Sequence, residues 1–166
     1  MSRRPPLENV YQLPLSYRAT IPEDYLDEMG HMNVMWYTHL YGLAIRDLLA
    51  GLGLDRAYIE REQHGTFALE KHLRYFAEVR VGQQVSVYTR VVGCNGVRYH
   101  LLQFMVNDTT EQLASSMETV SAHVNLTERR SAPMPPEIAS AFAEMAAQHD
   151  QLSWQPPVCG VMGVDK

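Results

Sequence analysis

The sequence predicts an α+β domain in which one long, mostly apolar helix lies within an antiparallel sheet of five or six strands. Three observations predict it. Residues 34–52 carry an apolar helical period. Four strand-like segments follow, joined largely by hairpin turns. One short strand candidate precedes the helix.

In chain order, residues 1–14 are punctuated by Pro5, Pro6 and Pro14 and read as an extended arm. Ser16 to Pro22 is a short strand candidate. A polar loop from Pro22 to Asn33 leads into the helix. There Tyr37, Leu40, Tyr41, Ala44, Ile45, Leu48 and Leu52 recur at steps of three and four, which makes an apolar helical face. Met35 and Leu49 widen it, so the helix is expected to be buried on several sides. Asn33 suits the N-cap, and Gly51 or Gly53 the stop.

After the helix the chain reads as strands. Thr66–Phe76 is aromatic and branched, with imperfect alternation. In Gln84–Val92, Val85, Val87, Thr89 and Val91 share one face. Asn95-Gly96 is a strong hairpin signal, and Val97–Val106 returns antiparallel. Asn107-Asp108-Thr109-Thr110 turns again into a last long strand, Leu113–Leu126. Prolines 133, 135 and 136 end the sheet. A short helix is predicted at about 136–148, and a tail over 151–166. Helix and strands satisfy one another if the sheet curls around the helix; a plain α+β sandwich is the alternative.

At 166 residues the chain suits a single domain, 1–166, with a core over about 16–130. A net charge of −5 argues against a nucleic-acid partner, which selects a basic face. No segment approaches the roughly 20 apolar residues of a membrane span. The arginines near the N-terminus are followed by no apolar run, so no secretory leader is expected. Cys94 and Cys159 form no CxxC pair, and no histidine pair has metal-ligand spacing, so no metal is expected. A soluble, cytoplasmic protein is the expectation.

The densest polar cluster is Asp24, Asp27, Glu28, His31 and Asn33, in the loop feeding the helix. A helix N-terminus leaves backbone N–H groups unpaired and favours negative charge. With a carboxylate nearby, those are the parts acyl transfer needs: donors for a developing oxyanion, and a base or nucleophile at the carbonyl. Capping explains Asp27 and Asn33 equally well from the residues alone. Glu70 is a second notable carboxylate and shares a face with His72 by alternation; an outward surface charge is the bland alternative.

The stretch Asp27-Glu28-Met29-Gly30-His31-Met32-Asn33-Val34-Met35-Trp36-Tyr37 resembles the D-x-x-G-H-x-N-x-x-x-Y signature of the 4-hydroxybenzoyl-CoA thioesterase-like branch of the hotdog superfamily. Leu52-Gly53-Leu54 resembles that branch's helix exit. Phe67 to Tyr75 resembles its second strand, and Val81-Gly82-Gln83 its turn into the next one. The subgroup resembled most includes betainyl-CoA thioesterases. The founding enzyme's aspartate falls five residues before the glycine, where this chain has Tyr25; Asp27 and Asp24 stand three and six before it.

The resemblance implies a hotdog fold and an acyl-CoA thioesterase that releases a carboxylate and free CoA. It implies Asp27 as general base or nucleophile, and a backbone N–H near Met32 or Asn33 as oxyanion donor. His31 is expected to position water, contact the acyl group or order the loop. Asn33 is a cap or a substrate contact, and Tyr37 a pocket wall or a core residue. A trimethylammonium acyl group would suit Trp36, Tyr37 or Tyr75 with Glu70. Lys71, Arg74, Arg129 and Arg130 are candidates for CoA phosphates. Coenzyme A belongs to the substrate, so no separate cofactor is expected. The expected assembly is a homodimer or a dimer of dimers. A hotdog hydratase or dehydratase using Asp27 and His31, and a non-catalytic acyl-CoA-binding protein, remain alternatives.

Overall fold

The computed structural model describes residues 4–166. The N-terminal arm departs from the extended form: Leu7–Val10 makes one helical turn, α1. Pro6, at φ −67, is the residue before the turn. Val10 and Leu13 are buried beside Leu102, Phe104 and Trp154, and burial of these side chains holds the turn in place.

The sheet has the order β1-β3-β4-β5-β2, all antiparallel. Its strands are β1 (Leu15–Thr20), β2 (His64–Tyr75), β3 (Gln84–Cys94), β4 (Arg98–Asn107) and β5 (Gln112–Asn125). A two-residue β6, Arg130–Ser131, pairs with β5. The hairpin turns form where the sequence puts them. The Asn95 side chain accepts from the Val97 and Arg98 N–H groups, and Gly96 takes φ +83. Asn107 does the same for Thr109 and Thr110.

Helix α2, Val34–Gly51, runs along one side of this curled sheet. Tyr37, Leu40, Tyr41 and Ala44 pack with Val85, Val87, Met105 and Met117. The Tyr41 hydroxyl shares a 2.7 Å hydrogen bond with Ser115 Oγ inside this core. The helix ends as its glycines suggest. Leu54 N–H reaches Leu49 O, Gly53 N–H reaches Ala50 O, and Gly53 takes φ +92, a conformation open to glycine without strain.

The chain between α2 and β2 is not all strand. Arg56–Glu62 forms a short helix, α3, capped by Asp55, whose Oδ1 accepts from Tyr58 N–H at 2.8 Å. Seven mostly charged residues with one buried tyrosine carry too little period to be read as a helix.

Helix α4, Pro136–Asp150, starts with proline at its first position and covers the far end of the helix-side core through Ile138 and Phe142. The opposite side of the sheet is covered by α1 and by the tail, with Trp154 edge-on to Phe104. Both sides of β4 and β5 are therefore buried, which explains the apolar run of β4, while β5 buries Ser115, Glu118, Thr119 and His123 among its apolar residues.

Candidate active site

The loop before α2 reverses tightly. Leu26 and Met32 form an antiparallel bridge. Asp27 N–H donates to His31 O at 3.0 Å, and Gly30 N–H to Asp27 O at 3.1 Å. Gly30 stands at φ +81 with open space where a Cβ would lie, so backbone conformation alone calls for glycine there. The reversal places Asp27 and His31 side by side. One Asp27 oxygen accepts from Met29 N–H at 2.9 Å. The other lies 3.4 Å from His31 Nδ1, and the two side chains are 16% and 31% exposed. The pair is thus held by the protein and still open to a small molecule.

The backbone donors at the head of α2 can be accounted for one by one. Met32 N–H is bonded to Val79 O at 2.7 Å, and Asn33 N–H to Tyr25 O at 2.9 Å. The Asn33 side chain caps the helix by accepting from Met35 N–H at 2.9 Å, and Trp36 N–H returns to Asn33 O. Val34 N–H, at the first helical position, has no protein acceptor among the described residues. The donor expected at Met32 or Asn33 is therefore already engaged. The open one lies one or two residues further on, because the loop uses the earlier N–H groups to dock onto residues 25 and 79.

Beside this head lies a cleft of about 300 Å³, bordered by His31, Met32, Val34, Tyr37, Tyr75 and Glu78. Tyr37 and Tyr75 meet edge to face at 5.1 Å. Burial pushes the Tyr37 phenol up to about 12, so it stays neutral at physiological pH. Trp36 is not in the cleft wall; it stacks on Tyr25 at 3.8 Å and fixes the loop to the helix. A larger cavity, about 500 Å³, opens at the other end of α2 around Tyr58, His64 and His123. Both nitrogens of His123 are engaged there, one by the Tyr58 hydroxyl and one by Ala132 O, each at 3.0 Å. The smaller cleft is the one whose wall holds an imidazole and an open helix N–H: His31 and Val34 border it, and Asp27 does not line it but lies behind His31 at 3.4 Å.

A family model described as the thioesterase-like superfamily matches residues 21–142, which takes in this loop, the helix and the sheet. The chain belongs to the thioesterase-like superfamily. The betainyl-CoA thioesterase of Pseudomonas aeruginosa is 28% identical over 92% of this chain and 96% of that protein. An L-carnitine dehydrogenase/betainyl-CoA thioesterase of Agrobacterium fabrum is 31% identical over 81% of this chain, a match that spans 27% of that longer protein. In fold the chain is similar to a Staphylococcus aureus protein solved in complex with CoA, with a TM-score of 0.81, 20% identity, and coverage of 92% of this chain and 96% of that one. The chain is a thioester hydrolase, an acyl-CoA thioesterase with the hotdog fold.

Glu70 is exposed on β2, beside a bulge between Ala68 and Glu70, and does not border the cleft. His72 is half-buried and lies across from Glu118 on β5. Among the basic candidates, Arg130 pairs with Glu128, Arg129 lies 5.1 Å over the Phe67 ring, and Arg74 donates to Pro157 O. Lys71 is exposed on β2. None of the four borders the cleft. The cleft carboxylate that sequence reading missed is Glu78, whose neighbour Arg80 donates to it at 2.9 Å. A glutamate just past a strand end reads as ordinary surface charge. Only the fold brings it opposite Tyr37.

Proposed function

We propose that this thioesterase hydrolyses a short cationic acyl-CoA, betainyl-CoA or a close analogue, in the cleft between the Asp27 loop and the end of β2. The observation that carries the mechanism is the Asp27–His31 pair beside the open Val34 N–H. Asp27 orients the imidazole through Nδ1. This leaves Nε2 to take a proton from water as the water attacks the thioester carbonyl. Val34 N–H, at the positive end of α2, stabilises the oxyanion. Collapse of the tetrahedral intermediate breaks the C–S bond. The proton returns from His31 to the leaving thiolate, giving free CoA and a carboxylic acid, which loses its remaining proton to solvent as the carboxylate. The 3.4 Å contact is longer than a good hydrogen bond; catalytic contacts often tighten only when substrate binds.

The acyl assignment is supported by the two relatives named above and by the cleft's chemistry. A trimethylammonium group is attracted to aromatic faces such as Tyr37 and Tyr75, and the Glu78 carboxylate adds negative charge at the rim. Glu78 replaces Glu70 in this role. The CoA phosphates fall to basic residues outside the cleft, with Lys71, Arg74, Arg129 and Arg130 as candidates.

The same reading includes a homodimer formed along β2, with a dimer of dimers as its extension, in the cytoplasm. β2 is a 12-residue sheet edge with Phe67, Leu69 and Tyr75 exposed, an arrangement proteins normally cover. Two free thiols fit a reducing compartment.

The test of mechanism compares His31→Gln with the parent in thiol release from betainyl-CoA. A loss of kcat of about 10²–10⁴-fold is expected. Near-parental kcat in His31→Gln, with ¹⁸O from labelled water entering Asp27 in a single turnover, would instead make Asp27 the nucleophile.

A further inference from the structure

On the side of the sheet turned away from the acyl cleft, three distant segments bring together side chains that the hydrolytic mechanism does not use. β2 supplies His72, β5 supplies Glu118 and the C-terminal tail supplies Cys159. One ligand atom from each, an imidazole nitrogen, a carboxylate oxygen and the sulfur, lies within 4.8 Å of the other two. Strand alternation fixes the side. Met117 packs against α2, so Glu118 faces the other way, toward the tail.

Glu118 is the centre of the group. Its side chain is 3% exposed. One oxygen lies 2.9 Å from His100 Nε2, and the other accepts from Cys159 N–H at 2.6 Å. A carboxylate removed from water to this degree needs compensation. His100 supplies part of it and also fixes the plane of the carboxylate. Such an arrangement is found around metal ligands, where an outer residue orients the ligating one. Arg74, two residues beyond His72, donates to Pro157 O and holds the tail over the same spot.

We propose that His72, Glu118 and Cys159 bind one divalent transition-metal ion of the zinc class and so clip the tail to β2 and β5. The donor set selects the metal. Thiolate and imidazole favour zinc over calcium or magnesium, and carboxylate completes a mixed N, O, S site that zinc accepts. Thiolate and carboxylate together balance the charge of a divalent ion. With bonds of about 2.0–2.3 Å in tetrahedral geometry, the ligand atoms sit roughly 3.3–3.8 Å apart. Binding therefore draws the three groups together by at most about 1–1.5 Å, and the thiol gives up its proton to solvent. Water fills the fourth position. The spacing rules applied to the sequence do not register this site, because its ligands stand 46 and 41 residues apart along the chain (118 − 72 and 159 − 118).

The test is cobalt titration of the full chain after removal of bound metal by a chelator. The parent is expected to bind one Co²⁺ per chain, with a near-ultraviolet thiolate-to-cobalt charge-transfer band that zinc abolishes. Cys159→Ser should lose the band while keeping the parental circular dichroism, and Cys94→Ser should keep it. His100→Gln, which alters only the residue behind Glu118, should weaken affinity about 10- to 100-fold. His72→Gln should also weaken binding, with thiol release from acyl-CoA unchanged. Failure of the parent to bind cobalt, a band that survives in Cys159→Ser, or one that disappears in Cys94→Ser would overturn the proposal.

Discussion

At the residue scale, the site rests on how few groups are left over once the loop has folded. The backbone of residues 25–33 uses most of its own donors, which, among the described residues, leaves the Val34 N–H open beside the Asp27–His31 pair. The aromatic pair sets what fits next to them. If Tyr75 and Glu78 recognise a cation, Tyr75→Leu should raise KM for betainyl-CoA about 2- to 30-fold, the range of one cation–π contact. Its KM for 3,3-dimethylbutyryl-CoA, a neutral group of the same shape, should change little. Equal effects on both substrates would show that the tyrosine contributes only shape. The sequence singled out Asp27, His31 and Asn33 as candidates, through their spacing around Gly30 and the resemblance that spacing carries. It did not reveal Glu78 or the open N–H of Val34. Those depend on where residues 76–79 dock, and that contact is made across the fold.

At the scale of elements, signals with a local cause were legible and those with a distant cause were not. The N-cap, the Gly53 exit, both hairpin turns and the periods of α2 and β3 are properties of a few adjacent residues. α1 and α3 are held by a few side chains, Val10 with neighbouring Leu13 and Tyr58, that find apolar partners elsewhere, so their sequences alone say little. The cap at Asn33 should contribute in the ordinary way: Asn33→Ala is expected to cost about 1 kcal/mol, or about 2–4 °C in Tm for a chain of this size. No change in Tm would mean that docking of the loop, rather than the cap, holds the helix start.

α4 is fastened to β3 by His149, whose Nδ1 accepts from Val91 N–H at 2.9 Å. Arg90 adds bonds from its guanidinium to His149 O and Trp154 O. Burial holds His149, and likewise His123, below the usual histidine range. Both are neutral in the folded protein, so the unfolded chain takes up more protons as pH falls below about 6.5. Stability from this source is full above that pH and is lost through the lower folded values. Glu118 acts in the same direction at lower pH: burial pushes its carboxyl up, but bonds from His100 and Cys159 outweigh this and leave it below the ordinary range. A lower Tm at pH 5 than at pH 7.5 is expected. An equal or higher Tm at pH 5 would contradict the neutral assignment of the two histidines.

For the whole molecule, the sheet order leaves β2 as an edge, and Tyr75 at the end of that strand borders the cleft. Pairing and activity should therefore be linked. Leu69→Arg, at the middle of the exposed edge, is expected to halve the mass seen by light scattering and to lower kcat/KM. A variant that keeps the parental mass would move the interface elsewhere. The most direct test of the account is thiol release from betainyl-CoA by Asp27→Asn beside the parent, with Tm measured on both. A loss of at least about 100-fold in kcat at a Tm within a few degrees of the parent is predicted. Undiminished release by Asp27→Asn would place the chemistry outside this loop and contradict the account.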